Sequence, residues 1–409
     1  MPTAASISDF RELARRRLPP LLFHYLDGGS YDEITLRRNV SELQAIALRQ
    51  RVMRDVSRIS LETEWFGQKV TMPVGLGPVG FAGMFARRGE IQAARAAEKA
   101  GVPFCLSTLG ICDVVETASA SSAPIWFQFY MIKDRGVMAS LLERVAAQRC
   151  STLVFTADLP VAGARYRDYR SGMSGPPGLA AGLGRVWQGL THPAWLWDVH
   201  VRGRPHCFGN LVEAVKDAKG FGQFAAWVAA NFDPTLTWKD LAWVRSHWNG
   251  PIVLKGVLDA EDARAALDAG VDGIVVSNHG GRQLDGALAS VAALPRVVEA
   301  ARDLRHERDR GLRAVRPGRA RDNGEVRRER HDGEGAGLQQ PLQVAGALAR
   351  EHVAAVRAHV GHADVRRRVG DVPDEDFREG VAFTIPAHPR STPTSRSWSV
   401  WLVRPFVHP

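Results

Sequence analysis

The stretch Pro251–Asp285, PIVLKGVLDAEDARAALDAGVDGIVVSNHGGRQLD, holds a strand, a helix, a second strand and the residues that follow them. Pro251–Gly256 is short, apolar and β-branched, the pattern of a strand buried on both faces. Ala260–Ala269 has helical periodicity, with Asp259 and Asp262 in capping-box spacing at its start and Gly270 as its stop. Gly273–His279 returns to the strand pattern. Working outward, Met72–Pro78, Phe104–Thr108, Ile125–Tyr130 and Thr152–Asp158 read the same way, and Arg88–Ala100 is another amphipathic helix. Such alternation predicts a parallel sheet covered on its outer face.

Polar residues stand where these strands end: Ser107, Gln128 with Tyr130, Thr156 with Asp158, Lys255, and Ser277 with His279. A barrel of parallel strands places its active site at those ends. An open doubly wound sheet also keeps ligands there, but usually with a Gly-rich first turn. Here the first strand ends Gly77-Pro78-Val79-Gly80 and carries no G-x-G-x-x-G. The expectation is an α/β fold, a (β/α)8 TIM barrel.

The 409 residues are 45% apolar and 24% charged, which excludes a mainly disordered chain, a collagen and a disulfide-stapled miniature. Cys105, Cys112, Cys150 and Cys207 share no C-x-x-C spacing, so no metal site and no disulfide framework is expected, only reduced cytoplasmic thiols. Neither a signal peptide nor an apolar run of about 18 residues is present, which predicts a cytoplasmic chain. The net charge is +9, and residues 301–409 supply +5 of it through 20 Arg, no Lys and 15 Asp and Glu. The remainder is ordinary, so nucleic acid is not an expected partner, whereas mild attraction to anionic lipid is.

Residues 170–240, after the fourth strand, break the rhythm with Gly, Pro and Trp187, Trp195, Trp197 and Trp227. A long insertion at that end of a barrel is a lid, an interaction surface, or a loop packing its own tryptophans.

The chemistry concentrates in Ser277–Asp285, SNHGGRQLD. His279 is followed by two glycines that admit a ligand close to the backbone, then by Arg282, suited to a carboxylate. A proton-accepting imidazole beside a carboxylate clamp describes an enzyme acting on a small acid. Thr156-Ala157-Asp158 through Gly163-Ala164-Arg165 adds a strand-end carboxylate and another arginine. Alone, Asp158 would read as a helix cap and Arg165 as a solvated loop charge.

These residues resemble the FMN-dependent 2-hydroxy acid dehydrogenases and oxidases. The matching stretches are Leu18–Gly29 (LPPLLFHYLDGG), Thr35–Asn39 (TLRRN), Ala82–Glu90 (AGMFARRGE), Leu106–Thr108, Trp126–Tyr130 (WFQFY), Ser151–Pro160 (STLVFTADLP), Gly163–Asp168 (GARYRD), Asn231–Pro234 (NFDP) and Ser277–Asp285. GARYRD and the long insertion are most similar to the family's bacterial respiratory lactate branch. The resemblance implies His279 as the active-site base, with Asp158 orienting it and stabilising the imidazolium. It implies Tyr25, Arg165 and Arg282 on the substrate carboxylate and Tyr130 on the hydroxyl or carbonyl oxygen. Toward FMN it implies Gly77, Pro78, Val79, Ser107, Gln128 and Thr156 at the ring edge, Lys255 near the N1–C2 edge and Ser277 as a flavin or phosphate contact. The implied reaction is oxidation of L-lactate to pyruvate, with electrons passed to the respiratory chain through quinone or a cytochrome. The implied location is peripheral, on the inner face of the cell membrane, and the implied assembly is a homo-oligomer. The competing expectations are another 2-hydroxy acid, such as glycolate or mandelate, and an inactive remnant lacking the FMN phosphate site.

The resemblance defines a domain over 1–300 and stops there. The family's seventh and eighth strands, with the Asp-(Ser/Gly)-Gly-(Ile/Val)-Arg and Gly-Arg ends that bind the FMN phosphate, are not recognisable after Ala301. No Phe occurs from Gly256 to Asp376 and no Ile from Val275 to Thr384. Arginine runs such as Arg366-Arg367-Arg368 take their place, the usage that a GC-rich gene gives when read out of frame. Residues 301–409 are therefore expected to be a frameshifted or disordered non-family tail, which reading the DNA in its other frames tests. A genuine basic tail with its own role is the alternative.

Overall fold

A computed structural model describes residues 4–175, 178–215, 226–227, 229–314, 381–386 and 399–402, with side chains as far as Arg302. These fall into two compact units. One comprises the described residues of 4–45, 60–301 and both C-terminal strands; the other comprises 46–59 and 302–314.

Each expected strand forms. After a short antiparallel hairpin, β1 (Thr63–Trp65) and β2 (Gln68–Val70), come β3 (Val74–Leu76), β4 (Cys105–Ser107), β5 (Ile125–Phe129), β6 (Cys150–Thr156), β7 (Ile252–Val257) and β8 (Gly273–Val276). From β4 to β8 every neighbouring pair is parallel, with Leu106 beside Phe127, Phe127 beside Leu153, Phe155 beside Leu254 and Leu254 beside Ile274. A parallel bridge between Leu76 and Phe104 joins β3 to the start of β4. The insertion follows β6, the fourth barrel strand.

The tail departs from expectation. With two family strands missing, β3 and β8 should have open edges. Instead Val381–Pro386 (β9) pairs antiparallel with β8, and Ser399–Leu402 (β10) pairs antiparallel with β9 and parallel with β3. An unpaired edge presents rows of N–H and C=O groups, and these two segments supply the partners. The result is an eight-stranded TIM-type ring in which β9 runs against the others. Of the tail expected over 301–409 to be frameshifted or disordered, residues 315–380, 387–398 and 403–409 lie outside the described residues.

The strand period of two residues sorts the interior into layers. Cys105, Trp126, Val154, Val253 and Val275 form one apolar cluster, and the hairpin packs Trp65 and Val70 onto it. Two residues further along each strand direction stand Ser107, Gln128, Thr156, Lys255 and Ser277, all buried. Apolar below and polar above, this alternation builds the floor of the site.

Outside the ring, the helix Ala260–Asp268 is capped by Asp259, whose side chain accepts from Glu261 N at 2.7 Å, and stops before Gly270 at φ +83°. The insertion divides its tryptophans. Trp195 is buried and donates to the Met84 carbonyl at 2.8 Å, while Trp187 and Trp197 are exposed.

Candidate active site

A cavity of about 610 Å³ opens over the polar layer, a volume typical of small-ligand sites. Its lining includes Tyr25, Pro78, Val79, Ser107, Gln128, Tyr130, Thr156, Arg165, Lys255, Ser277, His279 and Arg282, so twelve expected site residues meet there. Asp158 stands behind His279 rather than on the wall. Gly77 is buried and does not line the cavity.

His279 follows β8 in a left-handed conformation, φ +61°, which disfavours a side-chain-bearing residue and calls for support. The support is visible. His279 N donates to Ser277 Oγ at 3.0 Å, and Asn278 Oδ1 accepts from Gly281 N at 3.0 Å. Asn278 and Asn39 exchange amide hydrogen bonds of 2.6 and 2.9 Å in the interior. Gly281, φ +69°, packs so closely that a Cβ would lie 2.5 Å from Leu36 N. Only glycine fits there.

The imidazole is held from both ends. Its Nδ1 is 2.7 Å from Asp158 Oδ1, and its Nε2 is 3.3 Å from the Tyr130 hydroxyl. Lys255 Nζ reaches Asp158 Oδ2 at 3.4 Å. Lys255, at the end of a buried strand, thus shares the Asp158 carboxylate with His279. Burial alone would raise the Asp158 carboxyl, yet the electrostatic and hydrogen-bond pull of His279 and Lys255 outweighs burial and holds it below the usual range. Burial also lowers His279 below its ordinary 6.5, more than Asp158 raises it, with Lys255 and Arg282 adding to the depression. The result is an ionised carboxylate behind a neutral imidazole. Burial pushes the Tyr130 phenol up, so it stays protonated and donates.

The second half of the site is cationic. The guanidinium carbons of Arg165 and Arg282 lie 4.8 and 4.9 Å from the centre of the Tyr25 ring. Arg282 Nη1 donates to the carbonyls of Tyr25, at 2.7 Å, and Gly28, at 2.6 Å. Arg165 Nε is 2.8 Å from Asp168 Oδ2. Burial raises Asp168 above the usual carboxylate range against the pull of Arg165 and Arg282. Asp168 was legible as part of GARYRD, and its spacing from Arg165 is that of a one-turn ion pair. Sequence reasoning gave it no role. It also missed the aromatic wall of Phe81, Phe208 and Phe232, where Phe81 meets Tyr25 edge-on at 5.0 Å and Phe208 at 4.9 Å. Phe208 comes from the insertion, and nothing in its spacing marks it.

Such a constellation can hold a carboxylate between its arginines and present a neutral base beside it. The model of a family described as FMN-dependent dehydrogenase matches residues 14–311. Similar proteins include the L-lactate dehydrogenase of Caulobacter sp. (strain K31), 58% identical over 299 residues, or 73% of this chain and 78% of that protein. The L-lactate dehydrogenase of Ectopseudomonas mendocina (strain ymp) is 56% identical over 307 residues, covering 75% and 80%. Among solved structures, a monotopic membrane protein, (S)-mandelate dehydrogenase, matches with a TM-score of 0.68 at 33% identity, covering 73% of this chain and 79% of that one. A mandelate oxidase matches at 0.59 with 35% identity, covering 73% and 76%.

The chain belongs to the FMN-dependent dehydrogenase family. It is a flavoenzyme of the 2-hydroxy acid class, with FMN as its cofactor.

The polar layer suits a flavin ring. Ser107 Oγ donates to Gln128 Oε1 at 2.9 Å and Gln128 Nε2 to Thr156 Oγ1 at 3.1 Å, a chain of side chains that can exchange partners with a heteroaromatic edge. Lys255 places a buried cation on the same floor. The family's phosphate-binding strand ends are not recognisable in the sequence after Ala301.

Proposed function

We propose that this chain oxidises L-lactate to pyruvate, passing two electrons through FMN to quinone or a cytochrome at the inner face of the membrane. The carrying observation is the hydrogen-bonded line Tyr130–His279–Asp158 facing two arginines across one cavity. In this reading Arg165 and Arg282 take the substrate carboxylate, steadied by Tyr25. Tyr130 donates to the substrate oxygen. His279 Nε2 accepts a proton as the alcohol becomes a ketone, and Asp158 stabilises the imidazolium. When bound, FMN would supply the two-electron acceptor, held by Gly77, Pro78, Val79, Ser107, Gln128, Thr156 and Ser277, with Lys255 favouring added negative charge.

Lactate is preferred over mandelate because the curated lactate relatives share 54–58% identity, against 33–35% for the mandelate structures. Comparing kcat/KM for L-lactate, glycolate and (S)-mandelate tests this. L-lactate should lead, and a lead for either competitor would reassign the substrate.

Among the described residues no helix is long and apolar enough to cross a membrane. The helix Leu179–Leu190 instead exposes Leu179, Leu183, Val186, Trp187 and Leu190, with Leu183 at 62% and Trp187 at 67%. An apolar helix face open to solvent supports peripheral attachment. The same reading includes a homo-oligomer, a family domain over 1–300 and a non-family, frameshifted tail over 301–409.

A further inference from the structure

A second cleft, of about 520 Å³, lies apart from the substrate cavity. Arg17 ends one helix, Arg87 and Arg88 precede the helix Gly89–Ala100, Arg95 stands on that helix, and Arg202 follows the Leu196–Val201 turn of the insertion. Five guanidinium groups thus share the walls with one carboxylate, Asp198. That carboxylate is already divided, with Arg17 Nη2 at 2.7 Å from Oδ2 and Arg87 Nε at 3.3 Å from Oδ1. Arg88 pairs with Glu116 through Nε at 2.9 Å, yet its Nη1, shielded from solvent, has no hydrogen-bond partner. Like charges gathered in a concave site repel one another unless an anion joins them, and planar forks match phosphate oxygens. Exposed Trp197 adjoins Asp198 in the chain.

We propose that this cleft binds a phosphate ester anion. Its lipid form deepens the peripheral-membrane reading, with a phospholipid headgroup phosphate seated beside the apolar insertion; the soluble form is a free phosphate compound. The full chain is tested in two arms. One is co-sedimentation with phosphatidylcholine vesicles, with and without phosphatidylglycerol. The other is the melting shift given by inorganic phosphate against chloride at equal ionic strength. Arg95→Gln and Arg202→Gln change exposed side chains, and Arg264→Gln, exposed on a distant helix, is the control.

Weakening of phosphatidylglycerol binding by about fivefold for each cleft arginine removed, with the control unchanged, identifies the headgroup. A phosphate-specific melting shift that the cleft variants lose, without vesicle binding, identifies the soluble form and removes the membrane reading while the site stands. If the cleft variants match wild type in both arms, or the control weakens binding equally, the proposal is overturned. Neither arm reads lactate turnover, so its failure is distinct from failure of the active-site assignment.

Discussion

At the residue scale one imidazole sets the chemistry. His279 is kept neutral by burial, despite the carboxylate at 2.7 Å, so it is ready to take a proton at neutral pH. Turnover should therefore rise with pH and level off once His279 has lost its proton, with a midpoint in kcat/KM below 6.5. The same depression acts on stability. As pH falls below 6.5 the unfolded chain takes up the proton first, so the fold weakens toward acid. His279→Gln should lose about 10²–10⁴-fold in kcat and lose that limb of the pH profile. A variant that keeps both would remove His279 from the role. Much of this was legible, because Ser277–Asp285 brings histidine, glycines and arginine together in one short stretch. Lys255 was legible as functional but not as a partner of Asp158. Pairing across neighbouring strands depends on register, which a single strand does not encode.

At the element scale, the loop after β8 is a strained turn held by its neighbours. Three successive residues, His279, Gly280 and Gly281, have positive φ. Asn39 and Leu36, from the helix Ile34–Gln44, hold them in place. Gly281→Ala places a Cβ against backbone that cannot move aside. It should cost about 1–3 kcal/mol of stability, read as a lower melting temperature, and reduce turnover by displacing His279. Unchanged melting and turnover would show that the loop is not so constrained. The sequence announced the glycines but not their partner, since Leu36 lies some 240 residues earlier in the chain. Strands were the most legible elements, because buried parallel strands are short continuous apolar runs. The exposed apolar face of Leu179–Leu190 was less so. Periodicity marks an apolar stripe without saying what covers it.

At the scale of the whole molecule, a cavity lined by His279, Arg165 and Arg282 sits on an unusual ring. Six parallel strands end at the polar layer that floors the cavity, while β9 and β10 come from a tail in which the family's phosphate-binding ends are not recognisable. The relatives match over about three quarters of this chain, as do the motifs legible in the sequence. The substrate half was readable because its residues cluster in short motifs. The ring's closure was not, because pairing by β9 and β10 meets a need of the edges rather than a pattern in the tail.

On the proposed function, this chain binds FMN beside a lactate-oxidising base. The most direct test is the visible spectrum of the purified full chain, desalted after addition of FMN and recorded before and after anaerobic L-lactate. A retained flavin band that bleaches with lactate, and does not bleach in His279→Gln, is the expected result. A chain that retains no flavin, or a retained band indifferent to lactate, would contradict it.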